Sequence, residues 1–518
     1  MAGPRKGRRT STVTLLALVA SFALATGAGA DVLDRPWYEY RTTHFVVLSD
    51  QPEAEVARAI ADLELFRVIV FKVTNAHEGH EVIPVELLLF NDGDDYQATI
   101  RNPYILGYMR PDLRMQYLVT SRGVIGMDTQ HVIFHEYVHY LLRNGGTTAL
   151  HPKWYDEGLA EMLAATRLHR DTNKVVLGGD IASRIDDLRA GIYVPLSKVI
   201  AATDLSDWNP NHVAIFYSKS FALVNYLHLS RIVGKDHIAQ MNEYLRLFRE
   251  GTDSSVAFEQ AFGMPPAMME KELGEFLSQA RRPVLSLPMD LFPSDSTYTR
   301  REMPKAETAY RIGYTMVPDN PQVARKLFQF DRLDRSDGRY RAALGVTYQR
   351  EKDYARALDQ MKAALDMAPD EPVVLQESAD VRAVWCRVPQ RPTNCEDLRE
   401  TARVQYLKLL SIEPDRIEAD AALGTLLEEL GEPTDATVHL ERAYAAAPWY
   451  VPIIAELGVA RASAGQSAEA IPLLKRALAW VESDAALAQR IRAALERAEV
   501  SANSAHSESP ADRVPDTP

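Results

Sequence analysis

The stretch Gln130–Tyr140, QHVIFHEYVHY, contains His135-Glu136-Tyr137-Val138-His139, a complete HExxH. On an α-helix, positions i and i+4 share one face about a turn apart, so both imidazoles can reach one metal ion. The glutamate after the first histidine is then held beside that ion, placed to take a proton from bound water. Val132, Val138 and Leu142 are left to serve the core. His131 sits one turn before His135, yet roughly 12 Å along the axis from His139 at 1.5 Å per residue, so those two cannot share an ion. A structural or supporting role is expected for His131. Asp128 is the expected N-cap and Asn144-Gly145-Gly146 the expected stop. Five residues with two wildcards make a short motif, so its surroundings must decide what it means.

A catalytic zinc takes a third protein ligand and keeps one position open for water. No HxxGxxH follows His139, which removes the metzincin arrangement. Downstream instead lies Pro152–Glu161, PKWYDEGLAE, fewer than twenty residues beyond the motif. Together with HExxH, its W-x-x-E-G-x-A pattern resembles the gluzincins, including the aminopeptidase-N type. More closely it resembles the bacterial peptidase-MA-like domains found beside tetratricopeptide (TPR) repeats. The resemblance spans about Trp37–Ala280, with specific motifs only at HEYVH and WYDEGLAE. It implies an α+β zincin-like (thermolysin-like) domain holding one catalytic Zn2+ through His135, His139 and Glu157, with Glu136 as general base. Glu161, one turn beyond Glu157, is implied to orient a ligand histidine; the plainer reading makes it part of a solvated helix face.

Further on, Ile215–Leu227, IFYSKSFALVNYL, is similar to the Y-x-x-S-x-x-x-V-x-Y-L helix of the same families. There a tyrosine or histidine donates a hydrogen bond to the developing oxyanion. Tyr217 is the candidate and His212 stands behind it, against the alternative that Tyr217 only packs this helix. No GxMEN signature of exopeptidases appears upstream, which leans the expectation towards an endopeptidase.

Ahead of the motif, Thr43–Ser49 reads as a strand and Ala54–Val73 as a helix packed on it, with apolar residues at helical spacing. Val82–Phe90, VIPVELLLF, and Met115–Thr120, MQYLVT, are further strand candidates. The expectation is a small sheet with one covering helix, whose Met115–Thr120 edge could pair with a substrate strand. After Ala257–Leu277 the proline-bearing stretch 283–304 lacks periodicity and is read as a linker.

From Gly338 the chain repeats itself. Leu344-Gly345, Tyr348, Ala357, Ala364 and Pro369 fall at TPR intervals. Leu423-Gly424, Ala436, Leu440, Ala443 and Pro448 repeat the pattern, and Gly424 to Gly458 spans 34 residues. Tyr310–Phe328 is a candidate degenerate first unit. Small residues let paired helices approach, and stacked pairs bury a continuous core. The groove of such an array binds peptide or protein, or the array packs on the first domain as a scaffold. Cys386 and Cys395, the only cysteines, lie between two helices of one unit and are expected to form a local disulfide.

The N-terminus has the three-part layout of a secretory signal: Arg5, Lys6, Arg8 and Arg9, then apolar Val13–Ala25, then Ala28-Gly29-Ala30. The apolar run is short for a membrane span. The mature chain is therefore expected outside the cytoplasm, periplasmic or extracellular, with no stable span after cleavage; an uncleaved anchor is the alternative. A net charge of −13 over 518 residues argues against nucleic acid as a partner.

The expected domains are a signal peptide at 1–30, a peptidase-MA-like domain at 31–282, a linker at 283–304, an all-α TPR solenoid at 305–498 and a disordered tail at 499–518. The expected function is an exported zinc metallopeptidase acting on peptide or protein, with a protein partner in the TPR groove. Its alternatives are an exported TPR interaction protein with an inactive or structural zincin domain, and a metal hydrolase acting on a non-peptide amide.

Overall fold

The computed structural model describes residues 32–74, 83–99, 107–110, 113–122, 129–144, 151–279, 282–317, 320–327, 337–481 and 485–507. The expected signal peptide, the Asp128 cap and the Gly145-Gly146 stop lie outside the described residues.

The chain runs β1 (Trp37–Arg41), β2 (Phe45–Ser49), α1 (Glu53–Thr74), β3 (Val85–Phe90), α2 (Gly93–Thr99), β4 (Gly107–Arg110), β5 (Gln116–Ser121), α3 (Thr129–Asn144) and α4 (Lys153–Ala164). It continues through β6 (Arg167–His169), β7 (Lys174–Leu177), α5 (Ala182–Arg189), α6 (Leu196–Ile200) and α7 (Pro210–Leu229). Then follow α8 (Ile238–Arg249), α9 (Ser254–Phe262), α10 (Pro266–Leu277), β8 (Leu285–Pro288) and β9 (Thr299–Met303).

Six strands form one sheet in the order β4-β5-β3-β2-β1-β9, and β6-β7-β8 form a second. The centre of the large sheet is parallel (β2, β3, β5), while β1, β4 and β9 are antiparallel to their neighbours. Successive strand residues point to opposite faces. Phe45, Val47, Val85, Leu87, Leu89 and Leu118 join α1 and α3 through Val56, Ile60, Phe66, Phe134 and Val138. Their neighbours Val46, Leu48, Leu88, Phe90, Tyr117 and Val119 join a second core with Ile312, Met316, Tyr340 and Leu344. A sheet covered on both sides explains why β3 reads VELLLF rather than an alternating pattern.

Two expectations change here. The stretch 283–304 is not a plain connection, because β8 pairs with β7 and β9 pairs with β1. β9, TRREM, is a charged edge strand, the composition that blunts an exposed sheet edge, so it carries no apolar signal. Nor is Met115–Thr120 an edge: β5 lies between β4 and β3, and β4 is the edge strand on that side.

The second cover of the sheet comes from the helical half. Lys305–Thr308 and Tyr314–Met316 are joined by a π-turn at Ala309–Gly313. From that turn Arg311 pairs with Glu39 on β1 and with the buried Glu86 on β3. This segment covers the sheet, and a short helix, Pro321–Leu327, follows it and packs against both it and the helix Gly338–Arg350.

Four helical hairpins follow: Gly338–Arg350 with Tyr354–Met367, Pro372–Arg387 with Cys395–Ile412, Ile417–Glu429 with Pro433–Ala446, and Val451–Ser463 with Ser467–Trp480. Each packs on the next, giving an all-α solenoid of TPR type. At Gly424 an added Cβ would lie 2.6 Å from Leu440 Cγ, so glycine is what lets that pair close. Cys386 and Cys395 form a disulfide between the helices of the second hairpin, their Cα atoms 5.5 Å apart. A last helix, Ala485–Ser507, covers the open end, so residues 499–507 of the expected disordered tail are helical. Among the described residues no helix is long and apolar enough to cross a membrane.

Candidate metal centre

The site is built where α3, α4 and α7 meet. α3 presents Phe134, Tyr137, Val138 and Leu141 to the core, which turns His131, His135 and His139 towards α4. α4 is fixed by Trp154, fully buried and donating its indole N–H to the Tyr244 hydroxyl at 2.8 Å. Its Gly158 lies directly on α7, where an added Cβ would stand 2.4 Å from the Ser220 carbonyl oxygen. That contact brings Glu157 up against the α3 histidines.

His135 Nε2 lies 3.3 Å from Glu157 Oε2, His139 Nε2 lies 3.4 Å from the same oxygen, and the two Nε2 atoms are 3.2 Å apart. Zinc–nitrogen and zinc–oxygen bonds of about 2.0–2.2 Å in a tetrahedron require ligand atoms roughly 3.3–3.6 Å apart. The three donors thus outline one face of such a tetrahedron, and the residues fit a zinc ion.

A carboxylate stands behind each of these two imidazoles. Glu161 Oε1 stands 3.5 Å from His135 Nδ1, and Asp156 Oδ2 stands 3.1 Å from His139 Nδ1. Carboxylates in that position fix the tautomer and ring direction of a metal-binding histidine. Glu161 also meets His131 Nε2 at 3.3 Å and accepts from Arg184 at 2.5 Å. His131, His135 and Glu161 therefore form a second buried cluster, but one whose cation Arg184 already supplies.

Burial opposes charge on both histidines, yet Glu157 and Glu161 raise His135, and Asp156 and Glu157 push His139 up to about 10. Glu157 is held well below the usual carboxylate range, where the imidazoles outweigh its burial. The carboxylates that attract protons to these rings equally favour a divalent cation there.

Glu136 reaches from α3 to β4. Its Oε2 accepts the backbone N–H of Met109 on β4 at 2.9 Å. β4 comes this close because position 107 is glycine; a Cβ there would meet Val132 Cγ1 at 2.3 Å. Tyr217 on α7 lies beside His135, ring centroids 6.4 Å apart, with the Arg184 guanidinium 5.2 Å over its ring. His212, a turn earlier, is set against Trp208.

The structure thus gathers His135, Glu136, His139, Glu157, Glu161 and Tyr217. Asp156, Arg184 and the Met109 amide belong to the same cluster and were not singled out from sequence. Asp156 adjoins Glu157 within WYDEGLAE, and that adjacency is the one signal that could have pointed to it. Arg184 and Met109 arrive through tertiary contacts alone.

No family model matches the chain, and no curated protein does. Among solved structures the chain is similar to a thermophilic TPR protein of Thermus thermophilus, at 20% identity, over 36% of this chain and 98% of that one, with a TM-score of 0.30. It is also similar to MamA of AMB-1, at 18% identity over 33% and 96%, TM-score 0.27. A third is pilF of Pseudomonas aeruginosa, at 14% identity over 40% and 93%, TM-score 0.28.

Proposed function

We propose that this chain is a helical-repeat protein that binds protein partners and that its α+β unit is an exported zinc-dependent hydrolase of peptide bonds. The hydrolase reading is carried by one observation, the triangle of His135 Nε2, His139 Nε2 and Glu157 Oε2 with sides of 3.2–3.4 Å. Zinc bound there would lower the pKa of a water molecule and polarise a substrate carbonyl. Glu136, held by the Met109 amide, takes the proton of the attacking water and passes it to the leaving nitrogen. The charge of Glu157, with burial second, holds the Tyr217 hydroxyl above its usual pKa, so it keeps its proton and can donate to the carbonyl oxygen as charge develops. A substrate strand would lie along β4, the end strand of the sheet beside Glu136. The signal-peptide layout and the Cys386–Cys395 disulfide support a site outside the cytoplasm.

The second reading is an interaction protein whose α+β unit is structural. It is favoured by the way the helical half forms the second cover of the sheet, which makes the two halves parts of one packed body. Metal content and cleavage of a peptide library, wild type against Glu136→Gln, separate the two. The hydrolase reading expects about one zinc per chain in both proteins and cleavage only by wild type. Zinc in both with cleavage by neither transfers the conclusion to the interaction protein, and a chain that cannot be loaded with zinc ends the metal reading.

A further inference from the structure

We propose that Arg110 is a positioning residue for Glu136, and that through it the helical half sets the geometry of the zinc site. This rests on the hydrolase reading and adds to it the part of the molecule that holds the general base.

Successive side chains of a strand point to opposite faces, and β4 uses both. On one face Gly107 lies against α3, and Met109 packs on the core that α1 and α3 share. On the other face Tyr108 joins the core built with the helical half, and its hydroxyl reaches Met316 Sδ at 3.5 Å. Arg110, next on that face, donates to the Thr315 carbonyl oxygen and lies with its guanidinium 4.7 Å over the Tyr117 ring. Thr315 and Met316 are both fully buried, so β4 is backed by packed core and not by a loose surface. The Met109 amide that donates to Glu136 lies between these two anchored residues.

The backing is itself fixed at several points. Arg311, one turn before Thr315, pairs with Glu39 and Glu86 on the sheet, and its carbonyl accepts the Thr315 hydroxyl at 2.7 Å. Tyr314 donates its hydroxyl to Glu377 of the second hairpin. Four residues beyond Arg110, Arg114 donates to the same Glu377 at 2.9 Å and to Glu418 of the third hairpin at 3.1 Å. These carboxylates are thus spent inside the chain, on holding the helical half to the end strand of the sheet. β4 has a single sheet neighbour, β5, so contacts on its two faces decide how close it stands to α3. Displacing a catalytic group by about 1 Å can cost about 100-fold in rate.

The test uses the full chain, wild type against Arg110→Met, which keeps an apolar stem without the donor, and Arg110→Lys, which restores a donor. The readouts are kcat and KM on the best-cleaved member of a quenched-fluorescent peptide library, zinc affinity by chelator competition, and amide exchange at Met109. Arg110→Met should lose kcat by about tenfold or more while KM and zinc affinity stay within about twofold. Its Met109 amide should exchange about tenfold faster, and Arg110→Lys should recover most of both effects. Gly458→Ala, whose Cβ would stand 2.9 Å from Leu474 Cγ in the fourth hairpin, should lower the melting temperature and leave kcat and Met109 exchange alone. If Arg110→Met does not fold, Tyr108→Phe, which removes only a hydroxyl, should move kcat and exchange the same way by a smaller factor. Unchanged kcat and exchange in the folded variant overturn the proposal, and so does an equal loss in Gly458→Ala, which would trace the effect to general stability. Zinc affinity that falls in step with kcat overturns it as well. Wild type that holds zinc and cleaves nothing ends the hydrolase reading; exchange at Met109, quicker or unchanged in Arg110→Met, then decides whether Arg110 holds β4 against Glu136.

Discussion

The Met109 backbone N–H donates to the Glu136 carboxylate at 2.9 Å, so the edge strand β4 and the helix α3 are joined at the proposed general base. A strand at a sheet edge has amides without ladder partners, and here one of them is satisfied by a carboxylate of the site. The relationship sets the position of Glu136 and ties it to β4 rather than to β5.

Removing that acceptor should be visible without any substrate. In Glu136→Ala the Met109 amide loses its partner, and its hydrogen exchange should quicken by about tenfold, the equivalent of roughly 1.4 kcal/mol of protection. Glu136→Gln keeps a carbonyl oxygen in place and should retain most of the protection. Equal exchange in all three proteins would show that the contact does not persist in solution.

Gly158 should tolerate no side chain. A Cβ there would stand 2.4 Å from the Ser220 carbonyl and 2.6 Å from Val224 Cγ2, so α4 and α7 would have to separate. Overpacking of this kind costs about 1–3 kcal/mol. Gly158→Ala should therefore lower the melting temperature and, because Glu157 precedes it, weaken zinc binding as well. A variant with unchanged melting and unchanged zinc affinity would contradict the close crossing.

How much of this was legible in the sequence follows from what each residue reports. HEYVH and WYDEGLAE encode one-turn spacings, which survive folding unchanged, and the pairing of His135 with His139 and Glu157 is local geometry plus one helix crossing. The repeats were equally plain, because small residues such as Gly424 recur at a fixed period wherever helices must touch. β9 was hidden for the opposite reason: Arg300 and Arg301 face solvent on an edge strand, and pairing through backbone leaves no side-chain pattern. The second face of the sheet was hidden because VELLLF announces burial without saying what covers it. Arg184 and Met109 join the site from elements distant in sequence, and no spacing rule reaches them.

Asp380 should make the fold sensitive to pH. Burial and the neighbouring Glu377 charge raise its carboxyl to about 7, against the opposing hydrogen bonds from Tyr406 and Gln376 and the charge of Arg114. A carboxyl raised in the folded state binds its proton more tightly there than in the unfolded chain. Its stabilising contribution is complete below the unfolded value near 3.8 and is lost as pH rises through about 7. Wild-type melting should therefore fall between pH 5 and 8, and Asp380→Asn, always neutral, should lose part of that slope. An identical slope in both proteins would rule Asp380 out as its source.

The two carboxylates behind His135 and His139, the proposed zinc ligands, should differ when removed. Asp156 meets His139 at 3.1 Å, and its loss in Asp156→Ala should weaken zinc binding by about 10–100-fold, the usual effect of such a partner. Glu161 does the same for His135 but also neutralises Arg184, which it accepts from at 2.5 Å and whose side chain is only 14% exposed. Glu161→Ala should thus weaken zinc binding to a similar degree and, in addition, leave a buried guanidinium stripped of its closest carboxylate, at a cost of about 3 kcal/mol. Competition against a chromophoric chelator reads the first effect, and thermal melts of the zinc-free proteins read the second. Glu161→Ala should melt well below Asp156→Ala, and adding Arg184→Ala to it should restore part of the loss. Should the two single variants melt together, Glu161 has no role beyond orienting His135, and the Arg184 pair contributes nothing to the fold.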